Sequence, residues 1–385
     1  MEMLMTFEFA TAGRIVFGCG KLAQAAPAAA GFGRSALVVT GRHVERARPL
    51  LDALSKEGVD SKPFPVSGEP SVETARQAAQ CARETDCDLV IGFGGGSVID
   101  LAKAAAALMT NPGDPLDYLE VIGKGRSLTE RPAPSIAIPT TAGTGAEVTK
   151  NAVLASPEHR VKVSMRNPLM IPDLAIIDPE NMLSMPPAVT ASTGLDALTQ
   201  LLEAFISKKA NPLTDGFCRE GLPRAVRALR RAFENGSDIK AREEMALASL
   251  FGGLALANAG LGAVHGFAGP LGGMFAAPHG IVCAALLPHV MKINLMALRE
   301  RAPESYSLNR LTEFARLTGG SSAEEGIEWL SGLCRDLQVP PLSGLGVTEK
   351  DFRELVEKSQ NASSMKGNPV ELTDQELMRI LQESA

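Results

Sequence analysis

The stretch DLVIGFGGGSVIDLAKAAAALM (residues 88–109) reads as a strand, a glycine turn and a helix in immediate succession. Leu89 to Phe93 form a short apolar run of the kind a two-sided sheet buries. GGGS (94–97) then separates that run from an alanine-rich helix. Glycines let a diphosphate approach the backbone, and the helix that follows offers free N–H groups and the positive end of its dipole. The pattern is neither GxGxxG nor the Walker sequence, so the letters alone also fit a tight strand-to-helix turn.

The same alternation extends outward from this unit. SALVVTG (35–41) and LAIIDPE (174–180) read as strands, and SIAIPTTAGTGAEVT (135–149) as a strand followed by a small-residue loop. ARPLLDALSKEG (47–58) has apolar residues at helical spacing and a terminal Gly58, and Ser71 opens a helix through SVETARQAAQCARETDC. This rhythm predicts a mostly parallel sheet covered by helices. TTAGTG (140–145) is a second small, hydroxyl-bearing loop after a strand, and parallel strands deliver their loops to one edge, where a nucleotide can bind. From about Met185 nearly every segment reads as helix: DALTQLLEAFISKK, GLPRAVRALRRAFENG and REEMALASLFGGLALANAG. The expected organisation is an α/β domain over 1–184 and a helical domain over 185–385, with ligands in the cleft between them.

Composition narrows the partners. A chain of 385 residues with 45% hydrophobic and 21% charged residues is ordinary for a globular protein of two domains. The formal charge of −6 argues against nucleic acid or an anionic membrane. The six cysteines form no CxxC, which suits reduced thiols in a cytoplasm. The opening MEMLMTFEFA lacks a basic n-region and a long apolar core, so no secretory leader is expected. No charge-free apolar run is long enough to span a bilayer, and no repeat stands out.

Chemistry-bearing residues gather in the second half. Asp196, Gln200 and Glu203 share one stripe of a helix whose opposite stripe is Leu198, Leu201, Leu202 and Phe205. Alone, that stripe also fits a solvated polar face. Two of the five histidines, His265 and His279, sit in GLGAVHGFAGPLGGMFAAPHG (260–280). Fourteen residues of straight helix would hold them about 20 Å apart. The chain must therefore fold back for them to meet, and Pro270, Gly272-Gly273 and Pro278 offer breaks. Asp196 and Gln200 at i, i+4 with two such histidines make up to four oxygen and nitrogen ligands, which suits Fe(II) or Zn(II) with a position open to substrate. A Lewis acid beside a nucleotide loop points to hydride transfer at an alcohol or carbonyl.

These motifs together resemble the iron-containing (group III) alcohol dehydrogenases nearly end to end. GGGSVID, PTTAGTGAEVT, Asn151, Lys162, the helix from Asp196, GLGAVHG, PHGIVCAALLPHV and GNPVELTDQELMRIL carry the resemblance. It implies a Rossmann-like nucleotide domain and an all-α metal domain, the dehydroquinate synthase-like architecture, with NAD or NADP in the cleft. Gly94, Gly95, Gly96, Ser97 and Asp100 then fall at the diphosphate, and Thr140, Thr141, Thr144, Asn151 and Lys162 line the rest of the cofactor. Asp196, His265 and His279 fall on metal-ligand positions and act in catalysis through the metal. The implied partners are a small alcohol or aldehyde and further copies of the chain, a dimer or larger, with no nucleic acid or membrane.

Three positions depart from the family pattern. Gln200 stands where most relatives have a histidine ligand; the remaining Asp-His-His set resembles the zinc site of the related glycerol dehydrogenases. Gly269 stands where many relatives have a histidine suspected of relaying a proton. Gly41, followed by Arg42, replaces the aspartate that many NAD-using relatives place after the strand, which opens the cofactor site to NADP and belongs to the expected cofactor contacts. His289 is expected in a structural or supporting place, His43 and His159 in solvent. A reductase of oxo acids, like the related maleylacetate reductases, would need a cationic clamp for which Arg160 and Arg166 are nearest in sequence. A lyase or cyclase like the dehydroquinate synthases would want more basic residues than the nearly uncharged region around His265 and His279 offers. Gln200 and Gly269 together also fit a nucleotide-binding chain with a weakened or inactive metal site.

Overall fold

The computed structural model describes residues 6–275 and 277–385; the opening MEMLM, on which part of the leader expectation rests, lies outside them. Six strands, β1 (Arg14–Phe17), β2 (Ser35–Gly41), β3 (Asp60–Val66), β4 (Leu89–Gly94), β5 (Ser135–Pro139) and β8 (Leu174–Ile177), form one sheet in the order β1-β8-β5-β4-β2-β3. Every pairing in it is parallel. Alternation along each strand sends side chains to both faces. Ala36, Val38 and Ile91 pack under α1 (Ala25–Phe32) and α2 (Arg48–Lys56), whereas Leu37, Val39 and Val90 pack under α3 (Val72–Glu84) and α4 (Gly96–Thr110). With both faces covered, the central strands read as continuous apolar runs. β3 carries Pro63 and Pro65 and lies at the sheet edge, where a missing donor costs no pairing.

The order in which strands are added reverses between β2 and β4. After β2 the chain adds β3 on one side, and β4 then joins β2 on the other. In an open parallel sheet, the crevice beyond the carboxyl ends of two such strands is where ligands bind. A short helix, α5 (Pro115–Tyr118), and an antiparallel hairpin, β6 (Asn151–Ser156) with β7 (Val161–Arg166), complete the α/β part.

The rest is helical: α6 (Pro187–Ile206), α7 (Pro212–Glu234), α8 (Ile239–Ala259), α9 (Ala263–Met274), α10 (His279–Arg301), α11 (Tyr306–Leu317), α12 (Ala323–Asp336), α13 (Phe352–Gln360) and α14 (Asp374–Ser384). α6 is buried on both stripes, so the polar face of Asp196, Gln200 and Glu203 is interior and not solvated. α8 and α9 meet at 99°, which turns the amino end of α9 toward α6. Pro270 and Gly272-Gly273 do not break the chain as expected; they lie inside α9, and the reversal falls between Met274 and His279, with Pro278 just before α10. One lost hydrogen bond is tolerated there because α9 is packed against α10, α13 and β7 together. α10 is long and apolar enough to cross a membrane, contrary to the expectation, but 78% of its apolar window is buried within the protein.

Candidate active site

At the carboxyl ends of β2 and β4, Thr40, Gly41, Arg42, His43, Arg46, Phe93, Gly94, Gly95, Thr140 and Thr141 line a cleft of about 230 Å³. A larger cavity of about 370 Å³, lined by Thr11, Arg131, Ser135 and Asp173 among others, opens at the amino ends of the strands. Fold geometry favours the first as the nucleotide site, since ligands of doubly wound sheets sit at the carboxyl edge. The amino end of α4 has no side-chain cap and no acid in its first turn, so its leading N–H groups remain available to an anion. Gly96 has to be glycine: a Cβ there would lie 2.6 Å from the Thr144 hydroxyl. That contact brings the two small-residue loops together. Gly143 of the second loop abuts Thr193, and so ties that loop to the turn of α6 preceding Asp196.

The other expected cofactor residues divide. The Ser97 hydroxyl lies 3.3 Å from a Glu69 oxygen, and Lys162 pairs with the same carboxylate at 3.3 Å. Lys162 also lies against Gly272 of α9, where a Cβ would come within 3.0 Å of its ammonium. Asp100 instead accepts from the Val153 N–H at 2.9 Å and pairs with buried Lys103 at 2.9 Å. Lys103 donates onward to the Ala146 and Asn151 carbonyls and the Thr149 hydroxyl. Asp100 and the Asn151 carbonyl thus fasten the β6–β7 hairpin to α4.

Glu147, directly after the second loop, is 2% exposed, and burial pushes its carboxyl from 4.5 to about 7 despite Lys103 nearby. Its folded value exceeds its unfolded one, so the folded protein holds the extra proton between them and loses stability as pH rises from 4.5 to about 7. Glu147→Gln is therefore expected to stabilise the protein by about 2–3 kcal/mol at pH 8 and to lose most of that advantage near pH 4.5, read by denaturant unfolding at the two pH values.

The metal-ligand candidates converge. His265 Nε2 lies 3.3 Å from Asp196 Oδ1, and His279 Nε2 lies 3.8 Å from the same oxygen. The two imidazole centroids are 5.5 Å apart. Cys283, one turn after His279 on α10, places its Sγ 3.7 Å from His279 Nε2 and 3.8 Å from His265 Nε2. Gln200 donates its amide N–H to Asp196 Oδ2 at 3.2 Å, while its oxygen has no hydrogen-bond partner among the described residues and faces Gly252.

Glu203 completes the arrangement from the next turn of α6. Its carboxylate accepts the His265 Nδ1–H at 2.6 Å and the Val264 N–H at 2.7 Å. It thereby caps the first turn of α9 from outside and aims Nε2 of His265 at the cluster. Gly262 has to be small for this approach, because a Cβ would lie 2.8 Å from the Glu203 oxygen. Asn368, in the C-terminal tail, accepts the Ala263 N–H at 3.1 Å and so ties that tail to the same turn.

Burial would raise the Asp196 carboxyl, yet the His265 hydrogen bond and both imidazole charges hold it below its ordinary value. Burial would likewise lower both histidines, but Cys283 foremost, with the carboxylates, holds His265 well above its ordinary value and pushes His279 up to about 9. Burial would raise the Cys283 thiol, and the two imidazoles draw it below its usual value instead. By contrast, burial pushes Cys334 up to about 12, and that thiol donates only to the Ala284 carbonyl. An acid, a thiol and two imidazoles in mutual contact form a donor set in which a divalent cation can replace protons.

The spacing of Asp196, Gln200, His265 and His279 predicts oxygen and nitrogen ligands, whereas the cluster also holds the Cys283 thiol and is braced by Glu203. Cys283 at i+4 from His279 and Glu203 at i+7 from Asp196 were the available signals. His289 lies away from the cluster, 3.8 Å from Glu383, and His43 and His159 are exposed. Arg166 pairs with Glu120 at 3.1 Å, and Arg160 sits in the exposed turn between β6 and β7, so neither forms a clamp at the cluster.

Comparison with known proteins agrees with this architecture. The profile of the iron-containing alcohol dehydrogenases matches residues 12–179, and that of the C-terminal part of the same family matches residues 190–385. The 1,3-propanediol dehydrogenase of Klebsiella pneumoniae is 36% identical over 364 residues, covering 91% of this chain and 92% of its own. Long-chain-alcohol dehydrogenase 1 of Geobacillus thermodenitrificans is 36% identical over 381 residues, covering 95% of both. A crystal structure of a 1,3-propanediol oxidoreductase superposes with a TM-score of 0.91 at 34% identity, over 99% of this chain and all of that one. The family match and these relatives, all named for alcohols, make the chain a nicotinamide-dependent, metal-assisted oxidoreductase of CH–OH groups. The chain belongs to the iron-containing alcohol dehydrogenase family.

Proposed function

We propose that the chain oxidises a small neutral alcohol reversibly to its aldehyde, with residues 1–184 holding the nicotinamide nucleotide and 185–385 a divalent ion, Fe(II) or Zn(II). The observation that carries this reading is the meeting of Asp196, His265 and His279 beside loops that fit a diphosphate. A divalent ion at these residues supplies Lewis acidity that favours the deprotonated alcohol and polarises the aldehyde oxygen.

This chain's own groups do the positioning. Glu203 holds the His265 ring in one tautomer, and the Gln200 amide fixes the Asp196 carboxylate with Oδ1 toward both imidazoles. Gly94, Gly95, Gly96 and Ser97 with Thr140, Thr141 and Thr144 form the floor for the diphosphate at the amino end of α4. Lys162 and Asn151 stand on the hairpin that reaches toward α9. Asp100 serves the site by holding that hairpin in place. Gly269 lies one turn after His265, and a Cβ there would meet only the Lys162 carbonyl at 3.8 Å. That space admits substrate, and proton transfer passes through water or a cofactor hydroxyl where relatives have a histidine.

NADP(H) is accepted alongside NAD(H), since the cleft offers Arg42 and Arg46 and no carboxylate among its lining residues. Gly41→Asp has room, with nothing within 4 Å of a Cβ, and is expected to lower kcat/KM for NADPH by about tenfold or more while sparing NADH. Six free cysteines suit a cytoplasmic enzyme, and assembly as a homo-oligomer is part of this reading. The test is absorbance at the nicotinamide band with short alcohols and aldehydes and either cofactor. Turnover of neutral aldehydes above oxo acids is expected; metal-replete protein inert on the whole panel overturns the reading.

A further inference from the structure

We infer that Cys283, as a thiolate, is the fourth protein ligand of the metal ion and takes the place that Gln200 leaves unfilled; this rests on the metal-site reading above. The donor atoms of Asp196, His265, His279 and Cys283 all lie within 4.8 Å of one another. A tetrahedral ion with ligands at about 2.0–2.1 Å for nitrogen or oxygen and about 2.3 Å for sulfur separates N/O donors by about 3.4 Å and sulfur from nitrogen by about 3.6 Å. The corresponding distances here are 3.3 and 3.8 Å from Asp196 to the imidazoles and 3.7 and 3.8 Å from Cys283 to them. A few tenths of an ångström of contraction brings these four distances to those values, the remaining two donor pairs lie within 4.8 Å, and the substrate oxygen would enter as a fifth ligand.

Helix geometry explains why the thiol is there. His279 and Cys283 are i, i+4 on α10 and project to one side, as Asp196 and Gln200 do on α6. Of these two pairs, only α10 presents both members to the cluster, because Gln200 turns its donor to Asp196 and its oxygen to Gly252. A neutral amide oxygen is also the poorer ligand for a borderline-soft ion, which thiolate suits well. A buried cysteine is commonly a small apolar filler. Cys283 differs in that its sulfur faces two imidazole nitrogens, both of them the nitrogens that face Asp196.

The test uses full-length protein with Co(II) as the probe. With one cobalt bound, a thiolate ligand adds an intense sulfur-to-cobalt charge-transfer band in the near ultraviolet. Wild-type protein is expected to show that band, and Cys283→Ser to bind cobalt without it. Zinc-edge X-ray absorption of unmutated protein, which needs no variant to fold, is expected to show one sulfur scatterer at about 2.3 Å. Bound metal with no sulfur scatterer and no band overturns the assignment of Cys283 while leaving the Asp-His-His site standing. The same follows if the Cys283→Ser protein keeps the full band. Failure of the wild-type chain to retain cobalt or zinc at all overturns the metal-site reading and this inference with it.

Discussion

Asp196→Ala is expected to lower kcat/KM for alcohol oxidation by about 10³-fold or more while leaving cofactor binding within a few-fold of wild type. Asp196 Oδ1 is the oxygen that both imidazole Nε2 atoms face, and it is the only carboxylate in the donor set. Removing it removes a charge that balances a divalent ion, and with it several kcal/mol of transition-state stabilisation; about 4 kcal/mol corresponds to about 10³ in rate. The nucleotide loops keep their contacts, because Gly96 packs on Thr144 and the α4 amino end is independent of Asp196. Steady-state kinetics, metal analysis and titration of NADPH fluorescence on one preparation check all three parts. Loss of activity together with loss of cofactor binding would point to misfolding and not to a site lesion.

Glu203→Ala should damage both fold and metal binding. Its carboxylate is 1% exposed and is shared by the His265 ring and the leading N–H groups of α9, whose own cap position is Gly262. Deleting one partner of such a buried set costs about 3–5 kcal/mol. The freed imidazole can then rotate, and loss of a group that orients a ligand lowers metal affinity by about 10–100-fold. Glu203→Gln keeps one acceptor and should lose less of both. Denaturant midpoints and competition with a chelator measure the two effects separately. Near-wild-type values for the alanine variant would mean that Glu203 neither caps α9 nor holds His265.

Legibility in the sequence followed how local the physics was. The β4–α4 unit could be read because a buried strand, a glycine turn and an alanine-rich helix each signal within a few residues. β3 escaped because Pro63 and Pro65 argue against a strand, and only its edge position makes them harmless. β1 is four residues long, too short for its alternation to register, and the β6–β7 hairpin closes through the polar turn PEHR, whose exposure hides the pairing. Spacing placed Asp196, Gln200 and Glu203 on one stripe but left open whether water or protein covers it; α7, α8 and α10, all packed on α6, decide that. Pro270 reads as a break because proline is costly inside an isolated helix, a cost that packing on several sides absorbs here. The thiol of Cys283 had one local signal, its i+4 spacing from His279, which Cys218 and Cys334 lack, but only tertiary geometry shows that it meets Asp196 and His265.

The most direct measurement is anomalous scattering at the metal absorption edge from crystals of the active, cofactor-bound enzyme. One peak is expected within about 2.0–2.3 Å of Asp196 Oδ1, His265 Nε2 and His279 Nε2, facing the nucleotide held at the ends of β2 and β4. An active enzyme whose only metal peak lies elsewhere, or whose imidazoles and carboxylate stand apart with no shared ion, contradicts the account.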